Sequence, residues 1–194
     1  MCLCHSKHSN ISNYGVVSIT LDTQKMSHEL KSGWIFSFQQ YGPWSLTDCV
    51  QFSSVESFWQ AYEFMPLPSL AFRVVDDFKR SFFKHGVERI RSLCMRRDTI
   101  KTLEWEDPLN TGMYSFRLEE KEGNIVDDMY EKLLLLAIGE SFGDDVRAVR
   151  IVDKGKKRTV STQFELWCKQ ESEDVKNALS KVYNGSVAWS PFSD

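Results

Sequence analysis

One stretch limits the folds open to this chain more than any other: Asp127-Asp-Met-Tyr-Glu-Lys-Leu-Leu-Leu-Leu-Ala-Ile-Gly-Glu-Ser-Phe142. Acids at its start suit the positive end of a helix, and four consecutive leucines give it an apolar surface too broad to leave in water. It predicts the strongest helix of the chain over 127–142. The apolar part is far shorter than the roughly 20 residues that cross a bilayer. No transmembrane span is expected elsewhere, so the leucines need another layer of the same protein to cover them.

Other segments predict that layer. Trp34, Phe36 and Phe38 alternate with Ile35 and Ser37, as a strand with one buried face does, until Tyr41-Gly-Pro43 breaks the run just before Trp44. Ser53-Ser-Val-Glu56 has the Ser-x-x-Glu form of a helix start. Val55, Phe58, Trp59 and Tyr62 follow at helical spacing, and Met65-Pro-Leu-Pro68 ends the run. Residues 72 to 101 mix Phe78, Phe82, Phe83 and Ile90 with many Lys and Arg, and 87–102 fits a helix or a basic loop equally. Met113–Leu118 alternates as a strand closed by a turn at Glu122-Gly-Asn124. Arg147–Val152 and Val160–Trp167 read as strands flanking a basic hairpin, Asp153-Lys-Gly-Lys-Lys-Arg158. Val175, Ala178, Leu179 and Val182 predict a last amphipathic helix. Without a regular βαβ beat, the order implies an α+β domain on a mostly antiparallel sheet.

The chain has 194 residues, 42% of them hydrophobic, enough for one domain with a sizeable core. That domain is expected over 28–194, behind a polar, aperiodic tail of residues 1–27. A formal net charge of -3 excludes nucleic-acid binding by bulk electrostatics, so any RNA contact must be local. Five cysteines, at 2, 4, 49, 94 and 168, lack Cys-x-x-Cys spacing and imply free thiols in a reducing, cytoplasmic setting. Cys2, Cys4, His5 and His8 have metal-ligand chemistry but sit in the polar tail, so no metal or other cofactor is expected. His85 has no nucleophile or metal partner in sequence, and no enzyme is expected.

Three tryptophans fall outside simple core patterning. Trp44 follows a Gly-Pro break, and Trp105 lies between two acids in Leu103-Glu-Trp-Glu-Asp-Pro-Leu-Asn110. In the strand ending at Trp167, that indole shares a parity with Ser161, Gln163 and Glu165, the polar face. Two loop indoles can close on a flat ring, with base stacking worth about 1–3 kcal/mol and more if the ring is cationic. A carboxylate such as Glu106 accepts two hydrogen bonds from the amide-and-amine edge of guanine, and the basic hairpin suits phosphates. Together these residues describe a site for 7-methylguanosine, the messenger-RNA cap.

Several segments resemble the 4E initiation-factor family of cap-binding proteins. They are Val55-Glu-Ser-Phe-Trp59, Trp105-Glu-Asp107 with Asn110 behind it, and Leu134-Leu-Leu-Ala-Ile-Gly-Glu-Ser-Phe142 followed by Asp144-Asp-Val146. Lys154-Gly155 and Trp167 keep the family's order, and the resemblance runs from about Leu30 to Tyr183. It implies a curved antiparallel sheet of about eight strands with three helices on the convex face and the cap slot on the concave side. It also implies that Trp105 and Trp44 sandwich the methylated base, that Glu106 pairs with its Watson–Crick edge, and that Trp167 touches the methyl group. Phosphate candidates are Arg150, Lys154, Lys156, Lys157 and Arg158.

The resemblance further implies a docking face for a 4G-type scaffold or another 4E-interacting protein, made by His28, Val55, Trp59, Glu131, Lys132 and Leu135. The expected partners are therefore the mRNA 5′ cap and such a scaffold, with no membrane, for a monomeric protein. Met113 and Gln163 replace basic residues of the family, and Glu131 and Lys132 replace a leucine and an acid. The basic stretch 88–102 reads as a family-atypical insertion. With the altered docking face it resembles the divergent kinetoplastid branch, whose messenger RNAs carry extra methyl groups. Translation activation is the leading expectation. A cap-binding repressor, or an interaction domain that has lost cap binding, are the alternatives.

Overall fold

The first strand, β1 (Glu29–Gln40), sorts its side chains as the alternation predicts. Trp34, Phe36 and Phe38 are buried in the main core, while Ser37 and Gln39 point to the opposite face and are buried there among polar groups. The computed structural model describes residues 27–42, 45–72, 74–75, 79–80, 90–118, 123–155 and 161–192. The expected tail, with Cys2, Cys4, His5 and His8, lies outside these residues. Within them, β1 is joined by β2 (Leu46–Ser54), a short ladder of β3 (Val74–Val75) with β4 (Lys79–Arg80), β5 (Ile90–Arg97), β6 (Gly112–Leu118), β7 (Val146–Asp153), β8 (Thr162–Cys168) and β9 (Ala188–Pro191).

Seven of these form one curved sheet in the order β2-β1-β5-β7-β8-β6-β9, each neighbouring pair antiparallel. This is the α+β architecture expected, with seven strands in the main sheet and the β3-β4 ladder apart from it. Four helices complete it: α1 (Val55–Phe64), the single turn α2 (Pro68–Ala71), α3 (Gly123–Ile138) and α4 (Glu173–Ser180). Phe58 of α1, Leu133 and Leu134 of α3, and Val175 and Leu179 of α4 share one core with Phe36, Met95, Val149 and Phe164 of the sheet. None of the described helices is long and apolar enough to cross a membrane.

Most of the described part of the stretch 88–102 is strand rather than helix or basic loop. Residues 90–97 are β5, an inner strand between β1 and β7. Charge hid its period: Leu93 and Met95 face the helices, and Arg96 turns to the other side, where it donates twice to Asp48 at 2.7 Å. Arg97 stays on the helix side and is absorbed there. It stacks on Trp34 at 5.0 Å, donates to the Val146 carbonyl at 3.0 Å and to Glu140 at 3.3 Å, and also bonds Ser32. Two arginines are thus buried with their charges paired to carboxylates.

Helix boundaries also shift for local reasons. The N-cap of α1 is Ser54, whose hydroxyl accepts from the Ser57 amide at 3.2 Å while the Ser54 amide donates to the Ser57 hydroxyl at 2.9 Å. The capping box therefore lies one residue later than Ser53 and Glu56. Helix α3 begins four residues before Asp127, whose carboxylate instead takes the Ser69 amide and hydroxyl and ties α2 to α3. The helix ends at Ile138. Glu140 takes a left-handed conformation (φ 56°), and the Ser141 amide reaches back to the Leu136 carbonyl at 2.9 Å, closing the last turn as a Schellman motif.

The four leucines divide as a helix surface requires: Leu133 and Leu134 are fully buried, Leu136 is half-buried and Leu135 is exposed. Leu133→Ala is expected to lower unfolding free energy by about 2–5 kcal/mol, and Leu135→Ala to stay within about 0.5 kcal/mol of the parent. Urea unfolding of both variants measures the contrast.

Candidate functional site

The sheet face away from the helices carries a buried polar network built on Glu165. In β8, Gln163, Glu165 and Trp167 alternate onto this face. In β7 it receives Ala148 and Arg150, and Arg150 is in register with Glu165. Arg150 donates to Glu165 at 3.1 Å, to Gln39 at 2.6 Å and to Ser92 at 3.2 Å. Glu165 also accepts from the Trp167 indole N–H and from the Gln163 amide, each at 3.2 Å. Arg150 and Glu165 are both buried. The Arg150 guanidinium is therefore part of the floor of this face, its nitrogens already engaged by protein groups.

Trp167 lies on the polar parity, yet it is buried rather than open. It forms a second, small apolar cluster with Cys94, Leu103 and Ala148, against which Leu46, Met113 and Phe192 pack. Met113, opposite Trp167 in the β6–β8 register, covers the indole. An apolar side chain at 113 thus has a packing reason, and Gln163 a hydrogen-bonding one, since it also accepts from Arg117 at 3.4 Å. Burial pushes the Cys94 thiol up to about 12, so it stays neutral in this cluster.

Trp105 is the opposite case, an indole more than half exposed on a loop that is itself tightly held. Asn110, buried, donates from its side chain to the Glu104 carbonyl at 2.8 Å, and its backbone amide donates to the Asp107 carbonyl at 2.7 Å. Arg147, also buried, donates to Asn110 at 3.0 Å and to Asp107 at 3.4 Å. The acids around Trp105 thus have different tasks: Asp107 anchors the loop, and Glu106 is left exposed beside the indole. The asparagine and the acid were visible in the sequence, but Arg147 was not, because it lies 40 residues away.

Two cavities flank this loop. One, of about 130 Å³, is lined by Ser45 and Leu46 on one side, Lys101 to Glu104 on the other, with Gln39 and Arg150 at its base. The other, of about 550 Å³, is lined by Trp105, Glu106, Asp107, Asn110, Thr111 and Phe192. The second falls within the range of small-molecule sites. Trp44 lies outside the described residues, as do Lys156, Lys157 and Arg158. Lys154 is described and exposed at the end of β7. Partial burial, reinforced by Arg150, Arg91 and Arg117, lowers its ammonium pKa, with Glu165 opposing. Arg91 and Arg117 are cationic neighbours that the hairpin pattern alone did not reveal.

On the helix side, Trp59 is exposed on α1, resting edge-on against Phe58 (5.0 Å between ring centres) and Tyr62 (5.8 Å). Val55 is half-buried, and Leu135 is exposed on α3. Glu131 accepts from the Tyr62 hydroxyl at 3.2 Å, which links α3 to α1 beside Trp59, and Lys132 is exposed. His28 sits at the head of β1, its carbonyl accepting from the Val55 amide at 2.9 Å and its ring 2.6 Å from Glu56.

The sequence model of the family described as "Eukaryotic initiation factor 4E" matches residues 29–188. The chain belongs to that family. Among 4E relatives, "Eukaryotic translation initiation factor 4E-1" of Arabidopsis thaliana is 28% identical over 180 residues, covering 87% of this chain and 64% of that protein. The chain thus spans less than two thirds of that relative's length. Solved 4E structures share the fold. Ascaris suum eIF4E-3 in complex with m7G cap aligns at a TM-score of 0.60 and 20% identity, covering 81% of this chain and 82% of that one. The same protein with m2,2,7G cap gives 0.60 and 19%, again covering 81% and 82%. C. elegans eIF4E-3 with the 4E-binding protein Mextli gives 0.59 and 18%, covering 81% and 84%.

Two predictions follow the geometry of this 4E domain. Arg150→Met leaves Glu165 as a buried unpaired carboxylate and is expected to cost about 3–5 kcal/mol in urea unfolding, whereas Arg150→Met with Glu165→Leu costs much less. The hydrogen bond from His28 holds the Glu56 carboxyl down at about 2, against 4.5 for an ordinary glutamate. A depressed pKa adds stability above pH 4.5 that is lost as pH falls towards 2. The stability difference between the parent and Glu56→Gln should therefore shrink across that window, as followed by thermal melts from pH 6 to pH 2.

Proposed function

We propose that this protein binds the 7-methylguanosine cap of messenger RNA, without catalysis, and brings a 4G-type scaffold to it in the cytoplasm. The observation that carries the reading is Trp105: a large indole kept in solvent by a loop that Arg147, Asn110 and Asp107 hold rigid. An exposed tryptophan on a fixed loop is a stacking platform, since its ordering cost is met before any ligand arrives. Family membership, and fold relatives solved with m7G cap and with m2,2,7G cap, support a cationic guanine as the ring that stacks there.

In this reading Trp105 and Trp44 flank the methylated base, and Glu106 accepts from its Watson–Crick edge. Trp167, buried and fixed through its N–H to Glu165, backs the site from beneath its Met113 and Phe192 cover. Lys154, with Lys156, Lys157 and Arg158, neutralises the phosphate chain, and Arg150 braces the floor through Glu165. Trp59, Val55 and Leu135, with His28, Glu131 and Lys132 at the margins, form the scaffold face on the other side of the sheet. The relative solved with the 4E-binding protein Mextli supports that use of the face. Because cap and scaffold sites lie on opposite faces of one sheet, both can be occupied together.

Tryptophan fluorescence titrated with 7-methyl-GTP, and in parallel with GTP, tests the cap site. The parent should prefer the methylated nucleotide, and Trp105→Ala should lose about tenfold or more in affinity, as expected from a stacking contribution of about 1–3 kcal/mol. Equal binding of both nucleotides would overturn the reading. For the scaffold face, Trp59→Ala should abolish capture of a peptide carrying the Tyr-x-x-x-x-Leu-hydrophobic helix while leaving nucleotide affinity within about twofold of the parent. Retained capture would overturn that assignment.

A further inference from the structure

Trp167 projects from the ligand-facing side of β8 but is only 3% exposed. One of the residues covering it is Phe192, with its ring centre 4.6 Å from the indole and the planes at 51°. Phe192 follows β9, the edge strand that pairs with β6, and its amide donates to the Thr111 carbonyl at 2.9 Å. The docking of β9 is close. A Cβ at Gly112 would lie 2.5 Å from the Trp189 ring, and Trp189 in turn packs on Tyr114 at 4.9 Å. Residues 110–112 lead directly out of the Trp105 loop, so one backbone segment places both Trp105 and Phe192. Half-buried, Phe192 touches Trp167 and also lines the larger cleft with Trp105 and Glu106.

We propose that Phe192 is a specificity-determining wall of the nucleotide cleft, which gives the ring site an aromatic surface beyond its tryptophans and keeps Trp167 in position. The proposal rests on the cap-binding reading above. Its physical basis is twofold. An aromatic face attracts a cationic ring more than a neutral one of the same shape, so Phe192 favours methylated over unmethylated guanine. Its contact with Trp167 also helps to fix that indole, together with the N–H bond to Glu165 and the packing of Cys94, Leu103, Ala148, Leu46 and Met113.

The test is a fluorescence titration of the full chain and its Phe192→Ala, Phe192→Leu and Phe192→Tyr variants with 7-methyl-GTP and GTP, each variant first checked for a parent-like thermal melt. Phe192→Ala should weaken 7-methyl-GTP binding about two- to fivefold and bind GTP nearly unchanged, narrowing the preference. Phe192→Tyr should keep the parent preference. Phe192→Leu restores an apolar cover on Trp167 without a π face, and should retain the narrowed preference. An unchanged ratio in Phe192→Ala, or full recovery of the ratio in Phe192→Leu, overturns the proposal. If Phe192→Ala does not fold, the comparison of Leu with Tyr decides alone. A parent chain that binds both nucleotides equally refutes the cap-binding reading itself, and the wall proposal with it, before any variant is compared.

Discussion

The sheet face away from the helices depends on one buried carboxylate. Glu165 lies in the middle of the sheet and accepts from Arg150, Gln163 and the Trp167 indole, while Arg150 carries the network on to Gln39 of β1 and Ser92 of β5. A buried ion pair contributes little net stability compared with an apolar pair of similar volume, but breaking it is costly. Its effect here is to fix geometry. Four neighbouring strands are locked in register, and one indole is held at a set angle over the floor of a cleft.

The two faces of the sheet therefore solve different problems. The helix side is a large apolar core in which Leu133, Phe58, Phe36 and Phe164 exclude water. The other side is polar at its base and apolar only in a patch around Trp167. A polar floor cannot collapse on itself as an apolar one does, because every buried donor and acceptor needs its partner in place. Such a floor keeps loops apart and leaves space between them, and the two cavities flanking the Trp105 loop lie where that space remains.

Much of the fold was readable from local pattern. The alternation in β1, β6, β7 and β8, the leucine run of α3 and the helical spacing around Phe58 all placed elements correctly, because each has one clear apolar face. Others escaped, β2 and β9 among them. Leu46–Ser54 has a mixed, half-buried pattern at the sheet edge, and Ala188–Pro191 is an edge strand of four residues paired on one side only. Strand β5 was obscured by its arginines, whose charges mimic a surface loop until Asp48, Glu140 and Trp34 are known to receive them.

The sequence by itself determined the class of fold, the family and the unusual standing of Trp105, since each is written in contiguous residues: a leucine-rich helix, a motif, an indole between acids. Only the tertiary structure decided what those residues touch. Arg147 reaches the Trp105 loop, Glu165 holds Trp167, His28 takes Glu56 out of the helix cap, and Phe192 returns from the far end of the chain to cover an indole. These contacts join residues 15 or more positions apart in most cases, or two positions apart only because a strand is pleated. No local period encodes them. They exist because an antiparallel sheet brings distant segments into register and leaves their polar groups no water to choose instead.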